Sequence, residues 1–340
     1  IIVLDEEIRF VLMVPAAFAM PAKGWPVVLY AHGTGGDVFS CKNGVLGADS
    51  VAEALLKEGM AMICIEQPLH GERGEEGWNL ELLTFNFFNP RAGRTNFRQS
   101  AMDTMVLTRM LAEGVLDVPA DSVGFDKEVA FDASQIHFFG HSQGGLSGAL
   151  AIGIEPLINS AVISGAGGVL VETILRRKDY IDIAASVTAL LDIPSGGLDT
   201  FHPTMSLVQL LVDATDPVNY AQYWINPATG GKAKHVFITE GLLDAATPSV
   251  ATDILAASAR IPLIAPVAAN SVAHNLRGLV PLQVPVGQNL VNSKGDVLTA
   301  GLRQWAGEDH FVAFTNGEAR SMWRNWFKAL RIGDIPQISP

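Results

Sequence analysis

One serine lies in a setting that suits a nucleophile. Residues 140–144 read GHSQG; they follow a buried, strand-like run at 136–139 and precede a run of small residues. In that context Gly-x-Ser-x-Gly forms a sharp strand-to-helix turn whose crowded backbone requires glycine at both flanking positions. The turn projects the hydroxyl above a sheet, at a helix N-terminus. Ser142 is therefore the candidate nucleophile, and a glycine-rich turn with an ordinary capping serine is the alternative.

A second glycine-rich turn, HGTGGD at residues 32–37, also follows a strand-like run. Acyl transfer to a serine develops negative charge on the carbonyl oxygen, and backbone N–H groups stabilise that charge. The candidate oxyanion-hole donors are the amides of Thr34 and Gln143. Gly33 or Gly35 can replace Thr34, because the sequence does not determine which amide points inward.

These turns need a sheet to bring them together. Strand-like runs alternate with helix-like segments along the chain, which favours a mainly parallel sheet with helices on both faces. The predicted strands are Ile8–Val14, Val27–Ala31, Ala61–Glu66, Ile136–Gly140, Ala161–Ser164, His235–Glu240 and Val297–Trp305. The predicted helices are Val51–Gly59, Phe97–Glu113, Gly144–Ile152 and Glu318–Ile332. The expected fold class is therefore α/β.

Two stretches interrupt this alternation. Residues 168–231 are helix-prone and apolar, and we interpret them as an inserted helical cap. Residues 261–294 carry four prolines and predict an extended loop or a short strand pair. The predicted domains are thus a catalytic body, 1–167 and 232–340, and a cap, 168–231.

Composition excludes several classes of protein. The 340 residues are 49% hydrophobic and 17% charged, so the chain can bury a large core. A net charge of −12 disfavours nucleic-acid binding. No apolar run reaches the roughly 20 residues of a membrane span, so no transmembrane segment is expected. The two cysteines, Cys41 and Cys64, are expected to be buried thiols, with a single disulfide as the alternative.

The two glycine turns and their strands resemble the lipase and esterase branch of the α/β-hydrolase superfamily. The resemblance covers most of the chain outside the two insertions, although residues 33–36 read Gly-Thr-Gly-Gly rather than a run of glycines. Residues 95–100, with Asp103 and the stretch 68–71, are also similar to bacterial envelope-associated lipases and related hydrolases.

This resemblance implies where the remaining catalytic residues lie. In the superfamily, an acid follows a later strand and a histidine comes near the C-terminus. Asp244, in the turn after the strand 235–240, is similar to the family's acid, and His310 is similar to its histidine. The other histidines lie in strands, in the serine turn, in the cap or in the Pro-rich stretch. His32 and His70 are expected to brace their loops by hydrogen bonds.

Rival acids fit the position less well than Asp244. Asp213 and Asp216 belong to the predicted cap, and Glu240 ends a strand. Asp309 adjoins the candidate base, where its geometry is poor for the outer imidazole nitrogen.

The resemblance implies a serine hydrolase that cleaves carboxylic esters of small molecules or lipids. His310 would take the Ser142 proton and Asp244 would orient the imidazole, so neither a metal nor an organic cofactor is expected. The alternatives are an amidase, peptidase or thioesterase with the same triad, and a non-catalytic binding protein built on this fold.

Overall fold

The structure, a computed structural model, describes residues 6–44, 50–87, 89–124, 126–179, 182–194, 196–228 and 230–340. The strands are β1 (Phe10–Met13), β2 (Trp25–Ala31), β3 (Ala61–Ile65), β4 (Phe131–His141), β5 (Ile158–Ser164), β6 (His235–Gly241), β7 (Leu263–Ile264), β8 (Leu290–Val291), β9 (Val297–Leu298) and β10 (Ala300–Trp305). The first seven α-helices are α1 (Ser40–Asn43), α2 (Val51–Lys57), α3 (Leu80–Phe85), α4 (Pro90–Glu113), α5 (Ala120–Val123), α6 (Gln143–Ile154) and α7 (Leu170–Arg176). They are followed by α8 (Ile183–Leu190), α9 (Pro203–Val212), α10 (Val218–Ile225), α11 (Ser249–Ser258), α12 (Val272–Leu276), α13 (Val312–Thr315) and α14 (Gly317–Arg331). Short 3-10 helices lie at Gly71–Arg73 and Asp213–Thr215.

Eight strands form the main sheet in the order β1-β3-β2-β4-β5-β6-β10-β7. Only the edge pair formed by β1 and β3 is antiparallel; the other neighbours in this sheet run parallel. The carboxyl ends of parallel strands meet at one edge of a sheet. The turns after β2, β4, β6 and β10 therefore converge there, and these turns carry the candidate site residues.

Helices cover both faces of the sheet. Successive residues of a strand point to opposite faces, and in the central strands both sets of side chains are buried. In β2, Val27 and Leu29 pack in the layer that contains α4, α6, α10 and α11. Val28 and Tyr30 pack in the opposite layer, with α2, α13 and α14. The prediction of a mainly parallel sheet with helices on both faces is confirmed.

Helix α4 begins seven residues earlier than predicted. It starts at Pro90 rather than Phe97, and the Asn89 side chain accepts a hydrogen bond from the Ala92 amide. Proline at the first helical position after a capping asparagine is a favourable helix start, since its missing N–H would have no partner there.

The predicted strand Val297–Trp305 is two strands. Val297–Leu298 pairs with β8 in a separate two-stranded sheet, and Ala300–Trp305 joins the main sheet between β6 and β7. The break comes at Thr299, whose hydroxyl donates to the Pro336 carbonyl and whose amide donates to His235 Nδ1. The amide of Thr299 thus leaves the sheet ladder, while its carbonyl still accepts from the Val236 amide of β6.

The region predicted as a cap divides between two packing environments. Val171, Ile174, Ile183 and Met205, from α7, α8 and α9, form an apolar cluster of their own. Helix α10, which lies within the predicted cap boundary, packs instead in the main core. Its Trp224 indole N–H donates to the Ala149 carbonyl of α6 over 2.9 Å.

Cys41 and Cys64 form a disulfide, so the structure has the alternative to the expected pair of thiols. The bond joins α1, which follows the glycine turn at 32–37, to the central strand β3. Among the described residues, none of the helices combines the length and the apolarity needed to cross a membrane.

Candidate active site

Ser142 lies at the junction of β4 and α6, in a backbone conformation that residues other than glycine rarely adopt. Its backbone φ is 54° and its ψ is −121°, and its amide donates to the Ser164 carbonyl of β5 over 2.9 Å. A positive φ at a residue other than glycine is costly and persists only where neighbouring structure holds it. Here the strand before the serine, the helix after it and the bond to β5 supply that support.

Gly140 and Gly144, which flank Ser142, have no space for a side chain, as the motif predicts. A Cβ at Gly144 would lie 2.1 Å from the Ala31 carbonyl oxygen, and one at Gly140 would lie 2.7 Å from the Gly144 oxygen. A Cβ at Gly33 would lie 3.0 Å from the Ser142 Cβ. The two glycine turns therefore run side by side at the carboxyl edge of the sheet.

Asp244 and His310 are joined by a hydrogen bond. His310 Nδ1 donates to Asp244 Oδ2 over 2.7 Å. The other carboxylate oxygen, Oδ1, accepts from the amides of Ala246 (2.9 Å) and Thr247 (2.6 Å). These bonds are possible because β6 and β10, which precede the two turns, are neighbours in the sheet.

Ser142 and His310 line the same cavity, which has a volume of about 270 Å³. Gly33 and Thr34 also line it. The structure therefore brings the candidate nucleophile, the candidate base and the candidate oxyanion turn to one place, with Asp244 bonded behind the base.

The His310 ring is enclosed by two neighbours that the sequence did not single out. The His141 ring centre lies 4.7 Å from the His310 ring centre. A Cβ at Gly165, whose φ is 58°, would lie 2.7 Å from His310 Cε1. Burial holds the pKa of His141 well below its ordinary value, so this ring is neutral beside the candidate base.

Gly165 belongs to a short segment after β5 that several site residues contact. The Ser164 carbonyl accepts from the Ser142 amide, and the Gly165 carbonyl accepts from the Thr247 hydroxyl over 2.9 Å. The segment therefore touches the serine turn, the acid turn and the imidazole.

Two neutral histidines join the glycine turn at 32–37 to the turn after β3, whereas the sequence predicted only that each would brace its own loop. His70 Nε2 accepts from the Gly35 amide (3.0 Å), and its Nδ1 donates to the Pro68 carbonyl. His32 Nε2 accepts from the Gln67 amide. Burial lowers the pKa of His32 to about 4 and also lowers the pKa of His70, so both rings stay neutral and can accept.

These bonds narrow the choice of oxyanion donor. The Gly35 amide is bonded to His70, which leaves Thr34 and Gly33 as candidates on this turn. The Thr34 hydroxyl donates to the Gln143 side-chain oxygen over 2.9 Å and so ties the glycine turn to the serine turn. This contact spans 109 residues, and no sequence pattern signals it.

A second carboxyl group, Glu240, lies near Asp244 at the end of β6. It is 3% exposed, and burial raises its pKa well above the ordinary value. The neighbouring carboxylate of Asp253 raises the pKa further, the Gln304 amide opposes this, and Asp244 adds a smaller upward effect. Asp253 itself accepts from Gln304 Nε2 over 3.3 Å, and burial raises its pKa too.

The described residues hold no group of three or more His, Cys, Asp or Glu side chains arranged to ligate a metal ion.

No family model matches the chain, and no curated protein matches it. Solved structures do match. An acetyl xylan esterase from Paenibacillus sp. R4 is 17% identical, with a TM-score of 0.53, over 89% of this chain and 74% of that one. Acetyl xylan esterase 1 from Thermoanaerobacterium sp. JW/SL YS485 is 14% identical, with a TM-score of 0.52, over 95% and 79% of the two chains.

A puromycin-hydrolyzing peptidase from Mycobacterium tuberculosis is 13% identical, with a TM-score of 0.55, over 98% of this chain but 39% of the longer peptidase. The resemblance to envelope-associated lipases stays a prediction. At these identities the likeness is one of fold, and the fold of this chain is that of the α/β-hydrolases.

Proposed function

We propose that this protein is a serine hydrolase that cleaves carboxylic esters, with Ser142 as nucleophile, His310 as general base and Asp244 as the acid. The observation that carries the proposal is the 2.7 Å hydrogen bond from His310 Nδ1 to Asp244 Oδ2, beside the cavity that Ser142 and His310 line. A carboxylate on Nδ1 selects the tautomer in which Nε2 has no proton and can accept one.

The reaction then proceeds in two halves. The Ser142 hydroxyl attacks the ester carbonyl and passes its proton to His310 Nε2, and the imidazolium returns that proton to the departing alcohol as the carbon–oxygen bond breaks. Water attacks the acyl-enzyme in the same way, and the carboxylic acid leaves with Ser142 restored. No cofactor takes part in these steps.

The amides of Thr34 and Gln143 are the proposed oxyanion donors. Gln143 is the first residue of α6, and the first amides of a helix have no partner within the helix. The positive end of the helix dipole favours negative charge at the same point. The bond from the Thr34 hydroxyl to the Gln143 side chain supports this pairing, because it holds the two backbones at a fixed separation.

We also propose that the cap covers the cavity of Ser142. Thr173, in α7, and Arg177, which follows it, line that cavity, so the apolar cluster of α7, α8 and α9 lies beside it. The body at 1–167 and 232–340 would then carry the triad, and the region 168–231 would shape access to it.

The same triad can cleave amides or thioesters, and the structural neighbours include a peptidase as well as esterases. The experiment therefore compares p-nitrophenyl butyrate with butyryl p-nitroanilide and a butyryl thioester. Hydrolysis of the ester at a rate at least tenfold above that of the anilide and the thioester is expected. A larger kcat/KM on the anilide or the thioester would assign the protein to the corresponding class instead.

A fluorophosphonate probe tests the nucleophile. We expect one labelled residue, Ser142, loss of labelling and of nearly all activity in Ser142→Ala, and an unchanged far-ultraviolet circular dichroism spectrum. Ser40 also lines the cavity, so Ser40→Ala is the matched control and should retain the label. Labelling of another serine would overturn the site, and no labelling together with no hydrolysis would favour a binding protein.

A further inference from the structure

A partly open apolar cavity of about 110 Å³ lies next to the cavity of Ser142. It is formed between α4, α6, α7, α8 and α9, and its lining includes Phe97, Ile174, Ile183, Met205 and Val208. Protein interiors are normally packed without voids of this size. An engineered apolar void of roughly 150 Å³ binds benzene, so this one suits an apolar group somewhat smaller than benzene.

Four residues line both cavities. They are Phe85, Leu146, Thr173 and Arg177. Leu146 lies in the first turn of α6, the helix that Ser142 caps, and both residues line the cavity of Ser142. A chain attached to a carbonyl at Ser142 can therefore continue past Leu146 into the apolar cavity.

The wall between the cavities is polar on one side. The Arg177 guanidinium, in a residue that is 6% exposed, pairs with Glu81 and lies 5.4 Å from the centre of the Phe85 ring. Glu81 and Asp179 line the cavity of Ser142, and neither is among the residues that line the apolar cavity. The two carboxylates thus line only the cavity of Ser142, whereas Arg177 lines both cavities and Arg94 lines the second one, whose surface is otherwise mostly apolar.

The position of His310 indicates which end of an ester enters. In the proposed reaction the departing alcohol must lie next to His310, which protonates it. His310 and Phe311 line the cavity of Ser142 and are not among the residues that line the apolar one. The alcohol therefore leaves on the histidine side, and the acyl group extends on the Leu146 side.

We propose that this apolar cavity binds the end of the substrate's acyl chain and makes Val208 a specificity-determining residue. The inference rests on the proposed function and adds the substrate class, which is esters of straight acyl groups of about four to six carbons. Each buried CH₂ should raise kcat/KM about fourfold until the cavity is full. Acyl groups longer than about eight carbons should be disfavoured, since a cavity of about 110 Å³ would already be full.

The test compares p-nitrophenyl acetate, butyrate, hexanoate and decanoate on three proteins. Val208→Phe fills the cavity, and Leu207→Phe is the matched control on the preceding residue of α9, where the side chain is 62% exposed. Val208→Phe should lower kcat/KM for hexanoate at least tenfold and leave acetate within about twofold of the wild type. Leu207→Phe should keep the wild-type profile.

Identical chain-length profiles for Val208→Phe and the wild type would overturn the proposal. A series of acetate esters with longer alcohols gives a second check. If Val208→Phe lowers kcat/KM only for the esters of the longer alcohols, the cavity binds the alcohol and not the acyl chain. If Val208→Phe does not fold, Val187→Phe introduces the same ring from α8, where Val187 also lines the cavity.

A binding measurement separates this inference from the proposed function. In the Ser142→Ala protein, hexanoate should raise the melting temperature more than acetate does, and Val208→Phe should abolish that difference. If the wild type hydrolyses no ester but hexanoate still raises the melting temperature, the esterase proposal is rejected and the cavity remains an apolar binding site. Hydrolysis without any hexanoate shift, and with an unchanged chain-length profile in Val208→Phe, would reject the cavity alone.

Discussion

The carboxyl end of β6 holds two acidic regions that differ in the donors around them. Asp244, in the turn, accepts hydrogen bonds from two backbone amides and from His310. Glu240, four residues earlier, is buried beside Asp253 and has a raised pKa. The carboxyl group of Asp244 is thus surrounded by N–H donors, whereas the carboxyl group of Glu240 lies beside another carboxyl group. The local supply of N–H donors, rather than residue type, separates the two.

The largest expected effect tests which acid serves the histidine. Asp244→Asn should lower kcat by about 10⁴-fold, because the amide no longer selects the imidazole tautomer that accepts a proton from serine. Glu240→Gln is the matched control, an equally conservative change at the end of the strand that precedes the Asp244 turn, and should change kcat by no more than about threefold. The measurement is steady-state hydrolysis of p-nitrophenyl butyrate. A reversed order of the two variants would move the acid to Glu240.

The second expected effect concerns stability against pH. The pKa of Glu240 is raised on folding, so the folded state binds more protons than the unfolded state above the ordinary pKa of about 4.5. The free energy of unfolding should therefore fall as pH rises from 4.5 towards the folded pKa, by about 1.4 kcal/mol for each pH unit crossed. Asp253, Asp244 and Gln304 are the groups that face this carboxyl.

Urea unfolding of the wild type and of Glu240→Gln at pH 5 and pH 8 provides the check. The variant should gain stability relative to the wild type on going from pH 5 to pH 8, because it has no carboxyl to ionise. Equal pH dependence in the two proteins would mean that Glu240 ionises normally in the folded state.

The smallest expected effect concerns Thr247, which touches the acid turn in two ways. Its amide donates to Asp244, and its hydroxyl donates to the Gly165 carbonyl. Thr247→Val removes only the hydroxyl bond, so it should lower the free energy of unfolding by about 1 kcal/mol and change kcat by no more than about threefold. A loss of kcat near that of Asp244→Asn would show that the hydroxyl, and not the amide, positions the acid.

The two acidic regions also differ in how far the sequence predicts them. Ser142 and its flanking glycines lie within five residues, so their signal is local, and the order of serine, acid and histidine indicates Asp244 by resemblance. The Glu240 region depends on a contact between Asp253 and Gln304, which are 51 residues apart. That contact exists only because α11 packs beside β10, and no periodicity in the sequence encodes it.

The same distinction applies to the elements. The central strands are predictable because each is a short apolar run between polar turns. The start of α4 was predicted seven residues too late, because residues 90–96 show no apolar residues at helical spacing. Asn89 and Pro90 are nevertheless a helix-start signal that the sequence contains. The packing of α10 on the body depends on long-range contacts: Ala221, Trp224 and Ile225 are buried in the main core, and the Trp224 indole bonds the Ala149 carbonyl.

The segment at 164–166 has a consequence for how this protein tolerates substitution. The Ser142 amide, the Asp244 turn and the His310 imidazole all contact Ser164 or Gly165, and any side chain at Gly165 would meet the His310 ring. A scan of every single substitution should therefore find position 165 almost as intolerant as the proposed triad, although Gly165 has no side chain that could take part in the reaction. Residues that position the site therefore tolerate as few substitutions as residues that would react. A map of inactivating substitutions would include both groups.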